Sequence, residues 1–206
     1  MLDRVAIRLL RPALERTARS LQRRGVHADQ VTLAGFAIGM ASAVAIAAGR
    51  PLAGLALMMA SRLCDGVDGA LARLTRPTDR GGFLDITLDF LFYAAIPLAF
   101  AVADPSANAL AAAALLAAFI GTATTFLAFA ALAAERGLTN AAYPDKGIYY
   151  LGGLTEATET LVCFAAMCMW PAHFAAIAWV FVALAAVTTA TRVVAGWQVF
   201  SQEPPR

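Results

Sequence analysis

Asp65 and Asp68 stand three residues apart in this chain, and Asp85 and Asp89 four apart. Either spacing puts a pair on one face of an α-helix. A short segment separates the pairs, which predicts two antiparallel neighbouring helices whose acidic faces meet at a common end. Four carboxylates converging in low-dielectric surroundings repel one another strongly. One or two divalent cations relieve that repulsion. An all-oxygen donor set with no His or Cys favours Mg²⁺, Mn²⁺ or Ca²⁺ over zinc. Gly66, Gly69, Ala70 and Ala72 surround the first pair, and Gly81 and Gly82 precede the second. Small residues let helices approach closely and leave room for a bulky ligand. Arg73 and Arg76 lie a turn or two further on, suited to phosphate oxygens. Carboxylates, a divalent ion and arginine together describe a phosphate-ester site.

The elements that must position these residues are membrane helices. Of 206 residues, 60% are hydrophobic and 15% charged, against about 25% charged in ordinary soluble domains. Residues 31–48 and 105–134 contain no charge at all, and about 20 apolar residues suffice to cross the hydrocarbon core as a helix. The chain is predicted to be an all-α integral membrane protein with six transmembrane helices, over residues 29–49, 51–74, 82–102, 107–134, 151–170 and 174–200. Asp29 is the predicted cap of the first span. Residues 1–25 carry arginines at 4, 8, 11, 16, 19, 23 and 24, with Val5, Leu9, Leu10, Leu14 and Leu21 between them. That pattern predicts an amphipathic helix lying on the membrane face, so the chain divides into an arm, 1–25, and a membrane domain, 26–206. Arg73, Arg76, Arg80, Arg136 and Lys146 then fall on the same side as the basic arm. The positive-inside rule puts that side, both termini and the aspartates in the cytoplasm. Cys64, Cys163 and Cys168 lie in apolar segments without metal-binding spacing and read as small buried hydrophobes. A net charge of +2 gives no footprint for nucleic acid.

The run Asp65-Gly66-Val67-Asp68-Gly69-Ala70-Leu71-Ala72-Arg73, followed by Gly81, Asp85 and Asp89, resembles the signature of the CDP-alcohol phosphatidyltransferases. That signature reads D-x2-D-G-x2-A-R, about eight residues, then G-x3-D-x3-D. Seven residues, one fewer, separate Arg73 from Gly81 here. The resemblance implies an enzyme of the bacterial inner membrane that moves a phosphatidyl group from CDP-diacylglycerol to the hydroxyl of a small polar alcohol and releases CMP. It implies two divalent ions, Mg²⁺ or Mn²⁺, held by Asp65, Asp68, Asp85 and Asp89, with Asp89 also the general base. It places Gly69, Ala72 and Gly81 along the cytidine and Arg73 at the diphosphate. A homodimer is compatible with the Ala- and Gly-rich spans.

The acceptor half of the site is marked less sharply. Lys146 and Arg192 are the cations suited to a phosphate on the acceptor, with snorkelling to the interface the plainer role for Arg192. Glu156 and Glu159, in a Gly- and Thr-rich stretch, could hydrogen-bond a polyol or amine, or simply favour a helix start. Glycerol 3-phosphate is the leading acceptor, with inositol phosphate and an amino alcohol such as serine behind it. A divalent-metal transporter is the rival of another class, since acids in membrane helices also line ion paths. It leaves the Gly-Ala-Arg pattern unexplained.

Overall fold

The computed structural model describes residues 2–138 and 153–201, with side chains from residue 11 onward. Among them there are seven α-helices and no strand. These are α1 (Leu2–Arg23), α2 (Ala28–Ala47), α3 (Pro51–Leu74), α4 (Asp79–Ala103), α5 (Pro105–Glu135), α6 (Ala157–Met169) and α7 (Phe174–Phe200), the last entered through a 3₁₀ turn at Pro171–His173. Proline at the first turn of α3 and α5 starts each helix where its missing N–H is not needed.

Among the described residues, four helices are long and apolar enough to cross a membrane: α2, α4, α5 and α7 with its 3₁₀ turn. The other two expected spans differ for physical reasons. Helix α3 has 24 residues, ample length, but Arg62, Asp65, Asp68 and Arg73 lower its hydropathy. Helix α6 has 13 residues, about 20 Å of helix against a hydrocarbon core of about 30 Å. It begins only at Ala157, after the Gly- and Glu-rich stretch.

Helix α2 is the spine on which the site is built. It buries Gly35, Gly39, Ser42 and Ile46, a helical stripe of mostly small residues. The Ser42 hydroxyl donates to Gly54 O at 2.7 Å, and the Ser61 hydroxyl to Gly35 O at 2.8 Å. A Cβ on Gly35 would lie 2.9 Å from the Cys64 Cβ, so α2 and α3 touch nearly backbone to backbone. Helix α4 packs on α2 as well. Helices α3 and α4 thus both lean on α2 and face each other across a cleft that their acidic faces line, as expected of neighbouring helices. The first turn of α2 also departs from expectation. His27 is the N-cap, with its N–H donating to Gln30 Oε1 at 3.0 Å, and Asp29 sits inside the helix.

Away from the site, the bundle is held by aromatic and aliphatic packing. Phe100 and Phe174 stack at 4.6 Å between centroids, and Phe119 meets Phe164 and Phe181 edge-on, each at 6.0 Å. The outer faces are apolar too: Val44, Leu110 and Ile120 are all exposed, as lipid-facing surfaces require. Helix α1 lies against the site end of α3. Ala18 is fully buried with Ala70 and Leu71, Leu14 and Leu21 pack beside them, and Arg11, Arg16, Arg19 and Arg23 remain exposed.

Candidate active site

The gap between α3 and α4 contains the predicted aspartates. One carboxylate oxygen from each of Asp65, Asp68 and Asp85 lies within 4.8 Å of the other two. Asp68 is 5% exposed, and its Oδ2 is buried without a hydrogen-bond partner. A buried carboxylate oxygen with nothing to accept from is costly unless a cation meets it. Three converging carboxylates, one with an unmatched oxygen, therefore fit a hard divalent ion. Asp89 stands outside this triad. Its Oδ1 accepts from Arg62 Nη1 at 2.6 Å, and the same nitrogen is 3.7 Å from Asp65 Oδ1. Thr32, Gly35 and Phe36 of α2, together with Ser61, complete the floor of the cleft. Sequence reasoning missed these four. The helical spacing of Thr32, Gly35, Gly39 and Ser42 was the available signal for a small, polar face turned toward α3.

The small residues around the aspartates separate into two kinds. Gly66 makes room for α1, since a Cβ there would come within 2.9 Å of Leu14 Cδ1. Gly69, by contrast, faces only the Arg73 guanidinium, whose Nη1 would be 3.4 Å from an added Cβ. Ala72 is half-buried and Arg73 exposed. Gly81 lies at the third position of α4, where its N–H donates to the capping Thr78 hydroxyl at 3.1 Å. A Cβ on it would approach Thr78 Oγ1 and Asp29 Oδ1 at 3.1 and 3.2 Å. Next to it, Arg80 Nη2 pairs with Asp29 Oδ2 at 2.6 Å and ties the first turns of α2 and α4 together. The loop that is one residue short of the usual signature thus still delivers Asp85 and Asp89 to the cleft, with Gly81 in the first turn of α4.

The family model for CDP-alcohol phosphatidyltransferase matches residues 25–191. The chain belongs to this family. Its members are transferases of phospholipid biosynthesis that move a phosphatidyl group from CDP-diacylglycerol to an alcohol. The inner membrane protein YnjF of Escherichia coli is 52% identical over 197 residues, 96% of either chain. An archaetidylinositol phosphate synthase of Methanothermobacter thermautotrophicus is 49% identical over 65 residues, 31% of this chain and 33% of that one. The fold matches that of the Mycobacterium tuberculosis phosphatidylinositol phosphate synthase crystallised with CDP-DAG bound. The TM-score is 0.67 at 23% identity, over 89% of this chain and 93% of that one. The same synthase crystallised with manganese and citrate matches with a TM-score of 0.67 at 23% identity, over 89% and 88%.

Of the residues singled out for the acceptor, Arg192, Glu156 and Glu159 lie among the described residues, in a second polar region apart from the lining of the aspartate cleft. Arg192 is 7% exposed, and its Nη1 donates to Thr122 O of α5 at 3.1 Å. One turn before it, the fully buried Thr188 hydroxyl accepts from the Leu154 and Thr155 N–H groups, each at 3.2 Å, and lies 3.0 Å from the Thr155 hydroxyl. Glu156 Oε1 accepts from Gly153 N–H and Glu159 Oε2 from Glu156 N–H, both at 3.3 Å. The two glutamates therefore serve the entry to α6, where acids complement the helix dipole. Arg192 closes over Gly153, where an added Cβ would collide with Thr188 Cγ2 and stand 3.3 Å from Arg192 Nη2. Lys146 lies outside the described residues.

Proposed function

We propose that the protein transfers a phosphatidyl group from CDP-diacylglycerol to a hydroxyl of a phosphorylated polyol. Inositol phosphate and glycerol 3-phosphate are the acceptors to test first. The observation that carries this reading is the convergence of Asp65, Asp68 and Asp85 at the positions of the family signature, with carboxylate oxygens within 4.8 Å. Inositol phosphate moves ahead of glycerol 3-phosphate because the Methanothermobacter thermautotrophicus relative, over 31% of this chain, and the Mycobacterium tuberculosis fold neighbour are named as inositol phosphate synthases. The buried guanidinium of Arg192 supports a phosphorylated acceptor over serine, because Arg matches phosphate geometry through paired N–H groups.

Asp65, Asp68 and Asp85 would hold Mg²⁺ or Mn²⁺, with Asp89 the candidate contributor to a second ion. A bound ion supplies charge stabilisation on the phosphoryl oxygens. Gly69, Ala72 and Gly81 would border the cytidine, where only small side chains leave room, and Arg73 would hold the diphosphate. The acceptor oxygen forms a bond to the lipid-linked phosphorus, the bond from that phosphorus to CMP breaks, and the hydroxyl proton passes to Asp89. Arg192 would hold the acceptor from the α7 side, with Glu156 and Glu159 shaping the entry to α6 beside it and Lys146 a further candidate cation.

This reading sets the protein in a bacterial inner membrane with α3 and α6 crossing alongside the four longer helices. Their polar residues face the bundle, where charged groups in membranes are tolerated. Helix α1 would lie in the cytoplasmic interface, its arginines toward lipid headgroups. The test is the lipid product. Purified protein given CDP-diacylglycerol, Mn²⁺ and each acceptor in turn should yield one phosphatidyl-acceptor by mass spectrometry. A product with serine and none with either phosphorylated polyol would overturn the acceptor assignment.

A further inference from the structure

Helix α1 meets α3 in a constant register. Leu14 fills the notch at Gly66, where an added Cβ would lie 2.9 Å from Leu14 Cδ1. One turn on, Ala18 is fully buried with Ala70. One turn further, Gln22 Nε2 donates to Leu74 O at 3.3 Å. Each contact joins residues 52 positions apart. The two helices therefore run side by side and in the same direction over these two turns, about 12 Å of helix. Helix α1 does not simply cross the end of the bundle; it descends beside α3 to Gly66, the neighbour of Asp65. Gly35, which meets Cys64 close to that level, lies seven residues into α2, about 10 Å from its start. With α2 crossing the bilayer, that is the depth to which an interfacial helix reaches. The apolar stripe of α1 is taken up by this packing, since Leu14, Ala18 and Leu21 lie against Ala70 and Leu71. The side turned away from α3 carries Arg16, Arg19 and Arg23, spaced three and four and all exposed. Glu15 meets Arg11 at 2.8 Å and Arg19 at 3.7 Å, and the field of Arg73 reaches the same carboxylate. The stripe is thereby joined electrostatically to the arginine assigned to the diphosphate.

We propose that Arg16, Arg19 and Arg23 form a binding surface for the anionic headgroups of bilayer phospholipids, held beside the aspartate cleft. The inference rests on the reading of α1 at the cytoplasmic interface and goes beyond the transfer reaction. A helix whose apolar stripe is covered by protein cannot grip the bilayer by inserting that stripe, so its hold on lipid is electrostatic. At the depth set by the register, guanidinium groups turned away from the protein meet lipid phosphates, whose oxygens accept their paired N–H groups. Soluble polyanions stay outside that layer. CDP-diacylglycerol is itself an anionic lipid, so the surface gathers lipids of the donor's class next to Arg73.

Electron paramagnetic resonance of spin-labelled lipids tests this on the full chain in phosphatidylcholine vesicles, without turnover. The wild type should immobilise spin-labelled phosphatidylglycerol about fivefold or more in preference to spin-labelled phosphatidylcholine, the factor that one arginine near an anionic surface supplies. The triple variant Arg16→Gln, Arg19→Gln, Arg23→Gln should lose most of that preference, and Lys at the same three positions should keep it. Arg50→Gln, at the other end of the bundle, should leave it unchanged. In about 1 M NaCl, where the screening length is about 3 Å, the wild-type preference should collapse. An unchanged preference in the triple Gln variant overturns the proposal. So does stronger competition by inorganic phosphate than by chloride at matched ionic strength, which would assign the stripe to a soluble anion. If the triple variant does not fold, Arg16→Gln and Arg23→Gln singly should each lower the preference, and no change in either refutes the surface. Because no product is measured, failure here leaves the transfer reading standing, and loss of that reading leaves the lipid preference to be judged on its own.

Discussion

Thr188→Val replaces a buried hydroxyl by a methyl of nearly the same shape and leaves α7 intact. In the native protein that hydroxyl accepts from two backbone N–H groups, those of Leu154 and Thr155, and donates to Leu184 O at 3.1 Å. The Leu184 carbonyl keeps its place in the helix ladder, so its loss is minor. Leu154 is 60% exposed and Thr155 8%. Water or headgroups can satisfy the first N–H, but the second becomes a buried orphan. One such group costs about 1–3 kcal/mol. For a chain of this size each kcal/mol lowers the melting midpoint by about 2–4 °C, so the variant should melt roughly 2–12 °C below wild type. Thr188→Ser, which keeps the hydroxyl, should recover most of the loss. The assay is tryptophan fluorescence on heating in detergent micelles, which Trp170 and Trp179 near the two ends of the 3₁₀ turn make sensitive. Since Thr188 fixes the stretch against which Arg192 lies, the acceptor KM should rise while the donor KM stays put. An unchanged midpoint in Thr188→Val, or an equal drop in Thr188→Ser, would refute the assignment of this hydroxyl as the anchor of the α6 entry.

Gly35→Ala should cost about 1–3 kcal/mol by overpacking, because the new methyl would lie 2.9 Å from the Cys64 Cβ. Cys64→Gly should restore the midpoint in the double variant, and a Gly35→Ala protein as stable as wild type would mean that α2 and α3 are further apart than described. Arg192→Ala should raise the KM for a phosphorylated acceptor more than that for CDP-diacylglycerol, and steady-state kinetics with both substrates varied would expose an equal effect. Asp104 caps α5, accepting from Ser106 Oγ at 2.7 Å and Ala107 N–H at 3.1 Å; the Ser106 bond first and the Ala107 bond next hold its carboxyl below the usual range. A group depressed in the folded state adds stability above its unfolded pKa and loses it as pH falls through the folded one. The cap should therefore hold at neutral pH and fail only below the ordinary carboxylate range, whereas Asp104→Asn should remove that component of acid sensitivity from melting curves.

The signature aspartates were legible because their chemistry is local: helical spacing alone puts Asp65 with Asp68, and Asp85 with Asp89, on common faces. How the two faces meet was not legible. A short loop suggests adjacent helices, but it does not reveal that α2 packs on both of them, with Gly35 against α3 and Gly39 against Phe92 of α4, so that a cleft opens between the acidic faces. The different contacts of Asp85 and Asp89 were hidden for the same reason. Of these identical side chains on one face, Asp85 meets Asp65 and Asp68 whereas Asp89 pairs with Arg62 from another helix. Gly66 and Gly69 likewise look alike in sequence, yet one accommodates Leu14 and the other faces the Arg73 guanidinium. The long apolar runs of α2, α4, α5 and α7 announced themselves by length and hydropathy. Asp29, which has the composition of a cap, instead answers Arg80 from fifty-one residues away, a partner that local signals cannot reveal.

The central claim is that the Asp65, Asp68 and Asp85 triad supports phosphatidyl transfer from CDP-diacylglycerol. CMP release by purified protein, with Mn²⁺ and inositol phosphate or glycerol 3-phosphate, tests it most directly when run beside Asp68→Asn. The account predicts acceptor-dependent CMP release by the wild type. In the variant the release should fall about 10²-fold or more, along with loss of Mn²⁺ binding. Undiminished CMP release by Asp68→Asn, or none from the wild type with any alcohol and either metal, would contradict it.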